Sequence, residues 1–254
     1  DMSSFRVIVA GGSAVSESLI SQVQTQWGVP LIQGWGMTET SPLCVLSHPA
    51  ADVGEDMARA LRAKSGRPVP GVRVRVIEEE GAPVAENGVA VGKLQLKGPW
   101  IARGYHKGVG ADVLTGDGWL DTGDAGTIDR RGYVQVTDRL KDLIKSGGEW
   151  IPSAELENHV SGLPGIDVAA VIGVPDPRWE ERPLAIVTTV DGARPDFAYL
   201  RGVLRDKIAH FWVPEYWAHS LSLPLTSVGK IDKQALRNAI ASGDTQFERI
   251  DEIQ

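Results

Sequence analysis

The stretch from Asp138 to Val160, DRLKDLIKSGGEWIPSAELENHV, constrains this chain more than any other. It begins with a charged turn, Asp138-Arg139-Leu140-Lys141-Asp142, which neither neighbouring segment can bury cheaply. The residues on its two sides differ in texture, so a domain boundary and a hinge are expected at 138–142. An apolar pair, Leu143-Ile144, follows, then a Gly147-Gly148 turn and Trp150-Ile151. Pro152-Ser153 then precedes a helix whose first turn carries Glu155 and Glu157, as a helix start prefers, because its first N–H groups lack partners and its dipole favours negative charge.

Bulk properties narrow the function classes. At 254 residues there is material for one large or two ordinary domains. A hydrophobic content of 42% with 23% charged residues is ordinary for a globular protein. The net charge of -7 argues against nucleic-acid binding by broad phosphate neutralisation. With Cys44 as its single cysteine the chain can form no internal disulfide, which favours a reducing, cytoplasmic compartment. No run approaches the ~18 apolar residues that span a bilayer. The chain starts at Asp1 and enters a strand at once, the expected look of a segment whose parent extends upstream.

In order along the chain, Phe5 to Ala10 reads as a strand ending in Gly11-Gly12-Ser13, with an amphipathic helix from Glu17 to Trp27 behind it. Such a unit places backbone N–H groups at the carboxyl end of a sheet, where ligands bind in open α/β folds, although on its own it reads more simply as a structural turn. Pro30 to Gln33 reads as a second strand running into Gly34-Trp35-Gly36-Met37-Thr38-Glu39-Thr40. Glycines let a backbone approach a phosphate, an indole can stack on a base, and a lone carboxylate suits Mg²⁺. A plain loop with an exposed Trp and a helix cap is the competing reading.

Ala51 to Ser65 reads as a short helix, and Val72 to Val136 as strands alternating with turns at Glu80-Gly81, Asp117-Gly118 and Arg131-Gly132, hence a small antiparallel sheet or distorted barrel. Asp117, Asp121, Asp124 and Asp129 lack the EF-hand spacing. Asp124, after a Thr-Gly turn, could accept from two ribose hydroxyls. Beyond the hinge the order is a helix after Pro152, strands Val168–Val174 and Leu184–Val190, a helix from Phe197 to Ile208, a strand Tyr216–Leu221 and a final helix near Asp232. The loop before that helix carries Lys230 beside Gly229, too poor in glycine for a Walker loop. The five histidines show no metal-ligand spacing.

Taken together, GGSAVS, QGWGMTET, GWLDTGD, DRLKDLIKSGGEWI and TSVGKIDKQAL resemble, in sequence and order, the motifs of the acyl-adenylate-forming superfamily. KDLIKSGGEWIPSAELEN and DPRWEERP are most similar to its fatty acyl-CoA synthetase branch. The family's upstream phosphate loop has no match here, so the resemblance implies the back half of such an enzyme, inactive alone. It implies an α/β and α+β fold: residues 1–137 as the end of a large domain (an α/β piece at 1–65, a β-barrel subdomain at 66–137), the hinge, and a small α+β domain at 143–254. Ser16, Trp35 and Pro152 depart from the residues usual in the family.

The resemblance also implies roles. Gly12 and Ser13 would line the adenine, with Trp35 over the base in the Gly34-Trp35-Gly36-Met37 segment. Thr38 would contact phosphate, Glu39 would hold Mg²⁺, and Asp124 and Arg139 would bind the ribose. Lys141 would be the pivot and Lys230 would bridge the carboxylate and the α-phosphate. Gly147, Gly148 and Glu149 would approach the pantetheine of CoA. The implied cofactors and partners are ATP (leaving AMP), Mg²⁺, CoA and a carboxylic acid, most simply a fatty acid hinted at by the apolar run Pro42 to Leu46. No nucleic acid or transmembrane segment is implied, and a homodimer is the assembly allowed. A carrier-protein acceptor and a non-catalytic nucleotide binder are the alternatives.

Overall fold

The computed structural model describes residues 2–12, 15–50, 52–108, 113–227 and 229–250. It divides into two compact units, Asp1–Thr137 and Asp138–Gln254. Among the described residues no helix is long and apolar enough to cross a membrane.

In the first unit, β1 (Ile8–Gly11) leads into α1 (Glu17–Trp27) and β2 (Leu31–Trp35), followed by β3 (Val45–Leu46), α2 (Glu55–Arg62) and β4 (Arg67–Pro68). The Ser16 hydroxyl caps α1 by accepting from Leu19 N–H, and Glu17 faces the dipole from the first turn. Helix α2 has Glu55 and Asp56 in its first turn and Arg59 and Arg62 in its last, and buries Ala58 and Leu61. β1 and β2 are parallel, and β3 and β4 add antiparallel to form a sheet in the order β1-β2-β3-β4. Then β5 (Arg73–Ile77), β6 (Gly92–Lys97), β7 (Leu120–Ile128) and β8 (Val134–Arg139) make a second four-stranded sheet in chain order. Val76, Leu94, Leu96, Leu120 and Val134 form its core together with Cys44 and Val45. Within the apolar run Pro42 to Leu46, Cys44 and Val45 are fully buried core residues, whereas Pro42 is exposed and Leu43 and Leu46 are half-buried.

In the second unit, β9 (Ile144–Ser146) and β10 (Glu149–Ile151) form a hairpin across Gly147-Gly148. After α3 (Ser153–Ser161), β11 (Ile166–Asp176) and β12 (Glu180–Thr189) pair antiparallel over their whole length. α4 (Phe197–Arg205), β13 (Tyr216–His219), α5 (Lys233–Ser242) and β14 (Glu248–Arg249) complete the unit. Successive residues of β11 and β12 enter different cores. Ala169, Val171, Ala185 and Val187 pack with Leu156, Leu200 and Leu204 of α3 and α4, whereas Ala170, Ile172, Leu184 and Ile186 pack with Leu236 of α5. Helices on both faces explain why these strands read as unbroken apolar runs.

Several boundaries move from their expected places. The first strand begins at Ile8, not Phe5, and the second extends through Trp35. Asp138 and Arg139 belong to β8, so the turn proper is Leu140 to Asp142. Ser153 does not cap α3: the N-cap position is Pro152, which offers no side-chain bond, and the Asp138 carboxylate accepts from Ser153 N–H at 2.6 Å and Ala154 N–H at 3.3 Å instead. Glu157 lies beyond the first turn and is mostly buried. The fourth helix stops at Arg205, three residues short of the expected Ile208.

Candidate active site

In the first unit, parallel pairing sets Gly11 opposite Gly34. The glycine turn after β1 and the Gly34-Trp35 end of β2 are thus neighbours at the carboxyl ends of their strands, the edge at which open α/β sheets bind ligands. Gly12 has φ +89. Ser13 lies outside the described residues. The segment after it is held by Gln33, a residue the motif reading passed over. Gln33 Oε1 accepts from Val15 N–H at 2.9 Å, and its Nε2 donates to the Ala63 carbonyl at 2.6 Å and the Val15 carbonyl at 3.3 Å. A buried amide making these bonds fixes Val15 against the end of α2. Its place in an apolar strand was the one available signal.

The loop after β2 folds back on itself. Thr40 Oγ1 donates toward the carbonyls of Met37 and Pro42 at 2.9 and 2.8 Å, and accepts from Met37 N–H at 2.8 Å. Thr38–Thr40 form one 3₁₀ turn, which leaves Thr38 exposed and Glu39 half-buried. A β-carbon on Gly36 would lie 1.8 Å from the Pro42 carbonyl oxygen, so only glycine allows this closure. Trp35 packs its indole against the core of the unit. Glu39 is tied to a distant loop: its carbonyl accepts from Ala102 N–H at 2.8 Å, and Tyr105 donates its hydroxyl to the carboxylate. That bond, with lesser contributions from burial and the Glu39 charge, raises the Tyr105 pKa above its ordinary value. Tyr105 carried no motif signal, being 66 residues away. One carboxylate beside hydroxyls is a donor set that fits Mg²⁺, which takes few protein ligands and keeps waters and phosphate oxygens. Among the described residues no group of three or more His, Cys, Asp or Glu converges.

Asp124 sits within β7, which corrects the expected turn. Lys93 pairs with Ala125 and Gln95 with Asp121, so Thr122, Gly123 and Asp124 together face Leu94 in a bulge. Gly123 adopts φ +70 there. The Thr122 hydroxyl pins the bulge by donating to the Leu94 carbonyl at 2.8 Å and accepting from Asp124 N–H at 3.1 Å. Asp124 is 4% exposed. It acts on Cys44, whose thiol is pushed up to about 12, mainly by burial and further by the Asp124 charge, against a hydrogen bond from Thr40. Cys44 Sγ also donates to the Trp35 carbonyl at 3.3 Å. Trp35, Thr40 and Asp124 therefore share one neighbourhood around Cys44.

In the second unit, Arg139 and Lys141 are exposed, and the turn closes through Asp142 N–H and Leu143 N–H on the Arg139 carbonyl at 2.9 and 3.0 Å. Gly147, with φ +61, and Gly148 are the exposed tip of the β9–β10 hairpin, and Glu149 follows them. A β-carbon on Gly147 would approach the Trp179 ring to 2.8 Å, so the indole lies directly against the tip. Beside it is a cavity of about 720 Å³ lined by Gly147, Trp179 and Phe211, with Arg178, Arg182 and Arg249 among its cations. Lys230 projects from a tight loop in which Thr226 N–H donates to the Lys230 carbonyl at 2.7 Å and Thr226 Oγ1 accepts from Lys230 N–H at 3.2 Å. The loop presents the side chain to solvent.

The profile described as AMP-binding enzyme matches residues 1–106, and that described as AMP-binding enzyme C-terminal domain matches residues 155–230. The chain belongs to the AMP-binding enzyme family. Among AMP-binding enzymes it is 44% identical, over 93% of its length, to a long-chain-fatty-acid–CoA ligase of Thermus thermophilus. It is 40% identical, over 90% of its length, to a 3-methylmercaptopropionyl-CoA ligase of Ruegeria pomeroyi. The chain spans about half the length of these curated relatives, 44% and 43%. Of solved AMP-binding enzymes, ATP-bound MatB from Rhodopseudomonas palustris superposes with a TM-score of 0.76 at 29% identity, over 92% of this chain and 45% of that one. The o-succinylbenzoate CoA synthetase of Bacillus subtilis, in complex with its acyl-adenylate, gives 0.78 at 26% identity, over 92% and 46%.

Proposed function

We propose that this chain is the nucleotide- and thioester-handling part of an ATP-dependent carboxylate–CoA ligase of the fatty acyl-CoA synthetase kind. The observation that carries the reading is the pairing of Gly11 with Gly34, which brings two separate glycine segments to one sheet edge. The self-closed Thr38–Glu39 loop and buried Asp124 belong to the same unit. Relatives named as long-chain, medium-chain and feruloyl CoA ligases support the reaction class.

In this reading Gly12 and Trp35 receive the adenine, Asp124 and Arg139 the ribose, and Thr38 the phosphates. Glu39 would hold Mg²⁺, which supplies charge neutralisation on the leaving pyrophosphate when bound. The carboxylate oxygen attacks the α-phosphorus in line, the bond to pyrophosphate breaks, and Lys230 stabilises the charge on both partners. A turn about Lys141 then withdraws Lys230 and brings the Gly147-Gly148 tip to the same centre. There the CoA sulfur attacks the acyl carbon, and AMP leaves. The cavity beside Gly147 carries both signs of charge, with Arg182 and Arg249 paired to Glu215. The test is carboxylate-dependent ATP–pyrophosphate exchange in the full-length gene product, with acids from acetate to palmitate and aryl acids. Exchange with one class establishes carboxylate adenylation; none with any acid overturns the reading.

A further inference from the structure

Helix α5 begins at Lys233, just past the Lys230 loop, and two of its side chains reach back to the charged turn. Lys233 and Arg237 are four residues apart and so share a face one helical turn from each other. Lys233 Nζ pairs with Glu157 at 2.8 Å and donates to Ser153 Oγ at 2.6 Å. The Ser153 hydroxyl in turn donates to the Asp138 carboxylate, the same group that caps α3. Arg237 Nη2 donates to Asp142 Oδ1 at 2.7 Å and to the Lys141 carbonyl at 3.1 Å. One helix face therefore grips Asp138, near the end of β8, through a relay and the end of the turn directly.

This arrangement exceeds what stability calls for. The Lys233 and Glu157 side chains are only 13% and 17% exposed, and a buried ion pair rarely improves on apolar packing of equal volume. What it adds is a fixed geometry. With its carbonyl held by Arg237, the peptide joining Lys141 to Asp142 keeps its orientation relative to α5, and torsional change in the turn is confined to the N-terminal side of that carbonyl.

We propose that Lys233 and Arg237 are positioning residues that clamp the Asp138–Asp142 segment to the helix following Lys230, so that pivot and lysine loop respond to one another. The assignment of Lys141 and Lys230 rests on the ligase reading above, whereas the clamp does not. The bond held by Arg237 is the one trypsin cleaves after Lys141. Timed trypsin digestion of the full-length protein, followed by mass spectrometry, should show cleavage at Lys141–Asp142 rising about tenfold or more in R237A, the opening expected when a charge-assisted hydrogen bond is lost. R237K, which keeps the charge but loses the planar guanidinium fork, should fall between. An unchanged rate at that bond, or a rise shared equally by all tryptic sites, overturns the clamp. In the active enzyme, R237A should change the ratio of acyl-adenylate formation to thioester formation about tenfold, with R237K recovering it. Equal loss of both steps would reduce Arg237 to a structural role. If the wild-type protein forms no acyl-adenylate, the digestion still decides the clamp.

Discussion

Gly36 and the Pro42 carbonyl approach so closely that a single methyl group cannot be inserted between them. The loop bearing Thr38 and Glu39 exists in its observed form only because residue 36 lacks a β-carbon. Gly36→Ala must push the backbone apart, and overpacking of this kind costs about 1–3 kcal/mol or more. Urea denaturation of the variant should show a midpoint lowered to match. A wild-type midpoint would mean that the loop relaxes freely and does not preorganise its side chains.

Asp124→Ala removes a carboxylate buried in the β7 bulge. If it accepts from the ribose hydroxyls, the loss is that of charge-assisted hydrogen bonds, about 1.5–3 kcal/mol. ATP affinity measured by calorimetry on the full-length protein should fall about 10- to 100-fold. Unaltered affinity would remove Asp124 from the nucleotide site.

For Lys230→Ala the expected loss is about 10²- to 10³-fold in carboxylate adenylation, the usual effect of removing a preorganised charge from a transition state. Thioester formation from supplied acyl-adenylate should persist. Loss of both steps to the same degree would contradict the separate role assigned to Lys230.

The Lys233–Glu157 pair carries a pH signature. Burial is the main cause holding the Glu157 carboxyl above its ordinary pKa and the Asp138 charge adds slightly, while Lys233 and the Val171 N–H draw it down. Lys233→Met raises it further. A carboxyl whose folded pKa exceeds its unfolded one binds more protons when folded, so stability is lost as pH rises through the folded value. The variant should lose about 3–5 kcal/mol at pH 8, where Glu157 is charged and without its cation, and less at pH 5. Melting curves at the two pH values test this; equal losses would point to packing rather than charge.

Much of this fold was legible because its signals are local. The α1 helix runs over the residues its pattern predicts, with Ser16 as cap, and the glycine turns at Gly81, Gly118 and Gly132 all adopt positive φ. The motif order pointed to the family before any strand was paired. What the sequence hid is long-range. The cap of α3 comes from Asp138, fifteen residues upstream, and displaced the expected role of Ser153. Tyr105 meets Glu39 only through the chain's path, and Gln33 hides in an apolar run. Asp124 read as a turn residue because a Thr-Gly pair usually makes one, whereas the bulge absorbs that glycine within a strand.

That bulge has an implication for how such a chain can change by insertion and deletion. Two residues of β7 are surplus to the ladder, an even number, so the strand keeps the same faces inward on both sides of the irregularity. Losing one residue there would turn half the strand inside out. Losing Gly123 and Asp124 together would restore a regular ladder and leave the core residues in place, while deleting the carboxylate. A six-base excision would thus keep the fold while removing the carboxylate proposed to bind the ribose.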